Sequence, residues 1–137
     1  GPLQSNKVKV ALNIFHTIQT IDRLKIADEI KKNINSKSLT SNFFIQINIG
    51  DEPQKSGVKI NQFEELYAHC LDLGLSIKGL MCIPPANNVA EKYFQELLSI
   101  RDNTNKHLKL SMGMSADYEE ALIRKTNYIR VGSMIFN

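Results

Sequence analysis

The chain has 137 residues, 42% hydrophobic and 23% charged, with a formal net charge of +3. That length suits one domain of ordinary globular composition. The basic residues are scattered and form neither an arm nor an aromatic-and-basic platform, which argues against a nucleic-acid partner, and no apolar run approaches the roughly 20 residues needed to cross a bilayer.

Taken in order, the segments alternate between helix and strand. Gln4 to Asn13 reads as a short helix, and Phe15 to Ile21 as a strand enriched in β-branched and aromatic residues. Asp22 is the expected N-cap of the next helix, on which Leu24, Ile26, Ala27, Ile30 and Ile34 recur at helical spacing. Asn42 to Ile49 is the clearest strand, followed by the loop Gly50 to Gly57. Asn61 is the expected cap of a helix whose apolar face carries Phe63, Leu66, Tyr67, Cys70 and Leu71, and Gly74 ends it with a positive φ. Leu75 to Ile83 is a strand stopped by Pro84 and Pro85. Val89 to about Asn103 is helical, Leu108 to Met112 is a strand, Ser115 opens a helix reaching about Lys125, and Tyr128 to Val131 is the last strand.

Five strands with helical crossovers imply a parallel sheet. The strands are almost continuously apolar, as burial on both faces requires. An open doubly wound sheet satisfies this pattern, and so does part of an eight-stranded barrel, which normally needs about 250 residues. Either way, ligands bind at the carboxyl ends of the strands. That face receives the loops after Ile49, Ile83, Met112 and Val131.

Two of these strand ends carry small hydrogen-bonding residues: Leu110-Ser-Met-Gly-Met-Ser115 and Arg130-Val-Gly-Ser133. Ser115 reads as a helix N-cap or as a phosphate ligand at a helix N-terminus, and the two roles are compatible. Gly132 and Ser133 read as a strand-ending turn or as a backbone nest for an anion. Together the three point to one phosphate. Arg130 sits in an apolar strand and needs a partner, either a ligand or a carboxylate. Lys55, in the loop on the ligand face, and Lys7, at the start of the first helix, are secondary candidates that read equally well as solvated lysines. Asp117 and Glu119 favour the dipole of the helix that follows Ser115.

The two cysteines, Cys70 and Cys82, lack metal-ligand spacing and read as reduced, buried thiols of a cytosolic protein. His16, His69 and His107 are dispersed and receive no chemistry. No secretory leader is expected, because the first seven residues lack an apolar stretch.

Several segments recur together in one family. They are Gly1-Pro-Leu-Gln-Ser-Asn-Lys7, Ile21-Asp-Arg-Leu24, Gln46-Ile-Asn48 with Lys55-Ser-Gly57, Gly79-Leu-Met81 with Ile83-Pro84, Ser111-Met-Gly-Met-Ser115, and Arg130-Val-Gly-Ser-Met-Ile-Phe136. In order and spacing they resemble the pyridoxal-phosphate homeostasis proteins, also called proline synthetase co-transcribed homologues, over nearly the whole chain. The resemblance implies a fold-type III barrel like the amino-terminal domain of alanine racemase, here its carboxyl-terminal five-strand portion in a single partial domain, residues 1–137. It implies a cytoplasmic protein that binds and buffers pyridoxal 5'-phosphate without catalytic turnover, and no metal. It also places Ser115, Gly132 and Ser133 on the cofactor phosphate, Arg130 at the ring nitrogen and Met114 in the pocket wall.

Three departures accompany the match. The Ser-Lys-Thr-Lys segment with the Schiff-base lysine is absent, so the covalent anchor and roughly three strands are expected upstream of Gly1. Gln19 replaces a histidine, and Asn137 replaces a glycine. Two further readings follow from the same residues: a fragment of a racemase-like or decarboxylase-like enzyme, and an open α/β sheet holding a phosphate ligand or sulfate. Outer strands left unpaired would favour self-association.

Overall fold

Five parallel strands pair in the order in which the chain makes them. In the computed structural model, which describes residues 2–36, 38–86, 89–114 and 116–130, a 3-10 turn at Ser5–Lys7 leads into α1 (Val8–Ile14). There follow β1 (Thr17–Ile21), α2 (Leu24–Asn33), β2 (Asn42–Ile47), α3 (Phe63–Asp72) and β3 (Ile77–Cys82). The remaining elements are α4 (Ala90–Thr104), β4 (Lys109–Met114), α5 (Tyr118–Ile123) and β5 (Tyr128–Arg130).

The strand order decides between the two architectures. A doubly wound sheet reverses its order at a switch point and carries helices on both faces. Here every crossover advances by one strand. Right-handed connections then put all the helices on one face, and the sheet curls around the other. One hydrogen bond reports the curl directly: Ser111 Oγ on β4 donates to Gln19 Oε1 on β1 at 2.7 Å. In a flat sheet these strands would stand three spacings apart, roughly 14 Å, with both side chains perpendicular to the sheet. Only a strongly curved sheet brings them together. The fold is an α/β half-barrel.

Strand alternation sorts the side chains between the two faces. Phe43, Ile45 and Ile47 of β2, Leu80 and Cys82 of β3, and Leu110 and Met112 of β4 join the core beneath the helices. The helices answer with Ile26, Ala27 and Ile30, with Phe63, Leu66 and Cys70, and with Phe94 and Leu97. Burying each large apolar side chain favours the fold by about 1.5–3 kcal/mol. Phe44 and Met81 are also buried but stand outside that core, on the concave face. There the Phe44 ring meets Tyr128 of β5 edge-on, with centroids 5.5 Å apart. Gly79 leaves the space beneath that ring: a Cβ there would lie 2.5 Å from Phe44 Cε2 and 2.4 Å from the Lys109 carbonyl oxygen.

The element ends depart from the sequence expectations at the caps. Asp22 does not cap α2; its Oδ1 accepts from Arg23 Nη1 at 2.7 Å, and the N-cap position falls on Arg23 without a side-chain bond. The neighbouring guanidinium competes for that carboxylate. Asn61 lies inside a 3-10 turn, Ile60–Gln62, so Gln62 becomes the N-cap of α3. Asp117 occupies the N-cap position of α5, and its Oδ1 accepts from the Met114 N–H at 2.6 Å. Gly74 does end α3, with φ +76° and the Leu75 N–H bonded to the Cys70 carbonyl.

Cys70 and Cys82 are free and buried. Burial is the main force pushing both thiols from 9.0 up to about 12; Asp28 adds to it at Cys70, and Arg130 opposes it at Cys82. The folded chain therefore holds these protons where the unfolded chain releases them. The associated stability is present below pH 9 and lost as pH rises toward about 12. Denaturant melts across that window should show a steeper fall for the wild type than for a Cys70→Ala/Cys82→Ala variant. Equal slopes would contradict the assignment.

Candidate functional site

The concave face opens into a cavity of about 850 Å³ that reaches the carboxyl ends of β2 to β5 and runs along β1 from its start at Thr17. Gln19 of β1, Gln46 of β2, Met81 of β3 and Arg130 of β5 reach it from the sheet, and Met114 reaches it from the end of β4. Gln46 pairs in register with Met81, and Met81 with Ser111, so these three residues lie at one level across the sheet. The Ser111–Gln19 bond closes that level into a floor.

Arg130 is one of two cationic side chains that line the cavity. It is half-buried, and its Nη2 donates to the Cys82 carbonyl at 3.2 Å. Among the described residues no carboxylate pairs with it, which removes the salt-bridge reading. Burial lowers its pKa, with smaller opposing effects from Cys82 and Asp117. A guanidinium nevertheless stays protonated, so the site holds a cation with unused donors. Met114 pairs in register with Arg130.

The second cation arrives on the loop after β2. Val58 N–H donates to the Gln46 carbonyl at 2.8 Å, and Asn48 N–H to the Val58 carbonyl at 2.9 Å, so the loop returns to the strand it left. The Asn48 side chain holds the loop from within, donating to the Glu52 carbonyl at 2.7 Å and accepting from its N–H at 3.2 Å. Gly57, at φ +114°, passes so close to the strand that a Cβ would lie 2.5 Å from the Asn48 nitrogen. The result sets Lys55 and Ser56 against the cavity.

The structure therefore brings Arg130, Met114 and Lys55 to one cavity. Lys7 is exposed at the end of the 3-10 turn before α1 and does not line that cavity. Ser115, Gly132 and Ser133 lie outside the described residues. In sequence Ser115 comes next after Met114, and Gly132 and Ser133 come two and three residues after Arg130, the last described residues of the paired strands β4 and β5.

Gln46, Met81 and Ser111 stand in the family segments of the sequence and Gln19 among its departures, but the sequence reading gave none of them a place in the site. Gln46 had a visible signal: it is the one long polar side chain within the apolar run Phe43 to Ile47. The contact between Gln19 and Ser111 had none, because it spans 92 positions.

Among the described lining residues there is no aspartate, glutamate, histidine, cysteine or tyrosine. His69 is engaged elsewhere, with Nε2 2.6 Å from Asp28 Oδ1 between α3 and α2. Among the described residues no group of three or more histidines, cysteines or carboxylates could hold a metal ion, and no helix is long and apolar enough to cross a membrane.

Comparison with known proteins follows the geometry. The family model for the alanine racemase N-terminal domain matches residues 1–137. The pyridoxal phosphate homeostasis protein of Aquifex aeolicus (strain VF5) is 34% identical over 145 residues, covering 99% of this chain and 64% of the relative. The protein of the same name from Haemophilus influenzae is 37% identical over 146 residues, covering 99% and 62%. The chain thus spans just under two thirds of the length of these relatives. PipY of Synechococcus elongatus PCC7942, solved without PLP, superposes with a TM-score of 0.87 at 25% identity, covering all of this chain and 68% of its own. The PLP-bound form of PipY gives 0.84 at 24% identity and bears on the fold alone.

Proposed function

Since the chain belongs to the alanine racemase N-terminal-domain family, we propose that it binds pyridoxal 5'-phosphate in the concave cavity and serves cytoplasmic cofactor homeostasis without catalytic turnover. The observation that carries this reading is the makeup of the cavity: two cations, Arg130 and Lys55, and no acidic residue among the described lining. Such a wall favours an anionic ligand. The relatives named for pyridoxal phosphate homeostasis support the choice of anion.

The residues present fit the group. Ser115, Gly132 and Ser133 are assigned to the phosphate, since they follow the carboxyl ends of two adjacent strands, where parallel α/β folds collect such ligands. Arg130 is assigned to the ring nitrogen and Met114 to the pocket wall. Lys55 lines the cavity as a second countercharge; Lys7, which does not line it, receives no role.

When bound, pyridoxal phosphate supplies a ring that can draw electrons from a covalently attached amine. Arg130 opposes that use. A guanidinium facing the ring nitrogen disfavours protonation there, because two cations in contact repel. A ring held neutral is a weak electron sink. Lys55 is the sole lining residue among those described that could move a proton, whereas racemisation needs a base and an acid on opposite faces of the reacting carbon.

Absorbance titration of the chain with pyridoxal phosphate tests this reading, with inorganic phosphate as competitor and alanine racemisation measured alongside. Saturable binding of one equivalent, displaced by phosphate and without racemisation, is expected. Absence of saturable binding overturns the ligand assignment, and racemisation above background overturns the non-catalytic part.

A further inference from the structure

Gln46 is only 4% exposed, yet its side-chain amide has no hydrogen-bond partner among the described residues. It alternates with Ile45 and Ile47, which face the helices, and so points to the concave face, where it lines the cavity. The amide atoms themselves are not sealed off, since among the described residues the fully buried side-chain atom without a partner is Arg124 Nε. Here the open direction is the cavity itself.

Gln19 supplies a second amide from the adjacent strand. One end of it is engaged by the Ser111 hydroxyl at 2.7 Å. Ser111 is itself 1% exposed, so the bond is shielded and fixes the Gln19 side chain. The other end remains for a ligand. Neighbouring strands lie about 4.8 Å apart, which lets two amides converge on one oxygen or on the two oxygens of a carboxylate. With Arg130 and Lys55 on the same walls and no carboxylate among the described lining, the field favours an oxygen that bears negative charge.

We propose that the amides of Gln46 and Gln19 form a subsite for a negatively charged ligand oxygen other than the phosphate. Two sources share that chemistry: the ring oxygen of pyridoxal phosphate, and the carboxylate of an amino acid joined to the cofactor. The proposal rests on the cofactor reading above. It adds that the cavity floor selects among pyridoxal derivatives, a task separate from holding the phosphate.

Calorimetric titration of wild type, Gln46→Leu, Gln46→Glu and Gln19→Leu tests it with three probes: pyridoxal phosphate, its 3-deoxy analogue, and N-(5'-phosphopyridoxyl)-L-alanine. Gln46→Leu should weaken the recognised ligand by about tenfold, the scale of one hydrogen bond to a charged group. Gln46→Glu should weaken it further through like-charge repulsion. If the ring oxygen is the partner, pyridoxal phosphate loses affinity in Gln46→Leu while the 3-deoxy analogue does not. If the carboxylate is the partner, pyridoxal phosphate is unaffected while the alanine derivative loses affinity. Either selective loss supports the subsite. Equal affinities of wild type, Gln46→Leu and Gln19→Leu for all three probes overturn it, as does a uniform loss that ignores the ligand oxygen. Failure of the wild type to bind any probe is the separate failure of the cofactor reading. Thermal melts identify a variant that does not fold, and the two leucine variants on different strands then test the subsite independently.

Discussion

Replacing Arg130 by methionine is expected to weaken pyridoxal phosphate binding by about 10- to 100-fold and to leave thermal stability unchanged or slightly raised. The affinity estimate follows from losing a charge-assisted hydrogen bond, worth about 1.5–3 kcal/mol, at roughly 1.4 kcal/mol per decade. The stability expectation follows from the pairing around the guanidinium. Its described protein contact is one bond to the Cys82 carbonyl at 3.2 Å, with no carboxylate among the described residues. A half-buried cation so poorly matched costs the free fold desolvation without full return. Methionine keeps the stem volume and removes that cost. Binding isotherms paired with melting curves check both parts. Unchanged affinity would remove Arg130 from the site; lost stability with unchanged affinity would make it a structural residue.

A Gly79→Ala variant is expected to lose about 3 kcal/mol of stability, at the upper end of what overpacking costs. The added Cβ would sit 2.4 Å from the Lys109 carbonyl oxygen and 2.5 Å from Phe44 Cε2. The ring could shift, but the carbonyl could not without parting β3 from β4, whose register pairs Gly79 with Lys109. A Gly79→Ala/Phe44→Leu double variant should therefore recover only part of the loss. Gly74→Ala is the useful contrast, because nothing lies within 4 Å of its Cβ position and only the φ of +76° resists; about 1 kcal/mol is expected there. Denaturant midpoints for the four proteins check the order. A Gly79→Ala cost no larger than that of Gly74→Ala would contradict the packing described.

What could be read from the residues follows the range of the forces involved. The β2 strand was legible because Phe43, Ile45 and Ile47 must be buried under helices while Phe44 fills the opposite face, leaving an apolar run that no surface segment would keep. The end of α3 at Gly74 was legible because only local backbone sterics decide it. Caps were less so. Asp22 and Asn61 are good cap residues, yet Arg23 captured the first and a 3-10 turn absorbed the second.

The choice between barrel and open sheet lay beyond periodicity altogether. Both arrangements need the same strands, and only strand order and the Ser111–Gln19 bond separate them. In the site, Arg130 was legible as a charge in an apolar strand, whereas the amide floor was not. Gln46 stands out in its apolar run, but only the fold shows it buried and facing a cavity.

The most direct test of the central claim is a crystal structure of the chain grown with pyridoxal phosphate. The predicted result is density for the cofactor on the concave face, with its ring beside Met81 and Arg130 and its phosphate beyond the ends of β4 and β5. Density on the outer helical face, or a concave cavity empty at saturating cofactor, would contradict it.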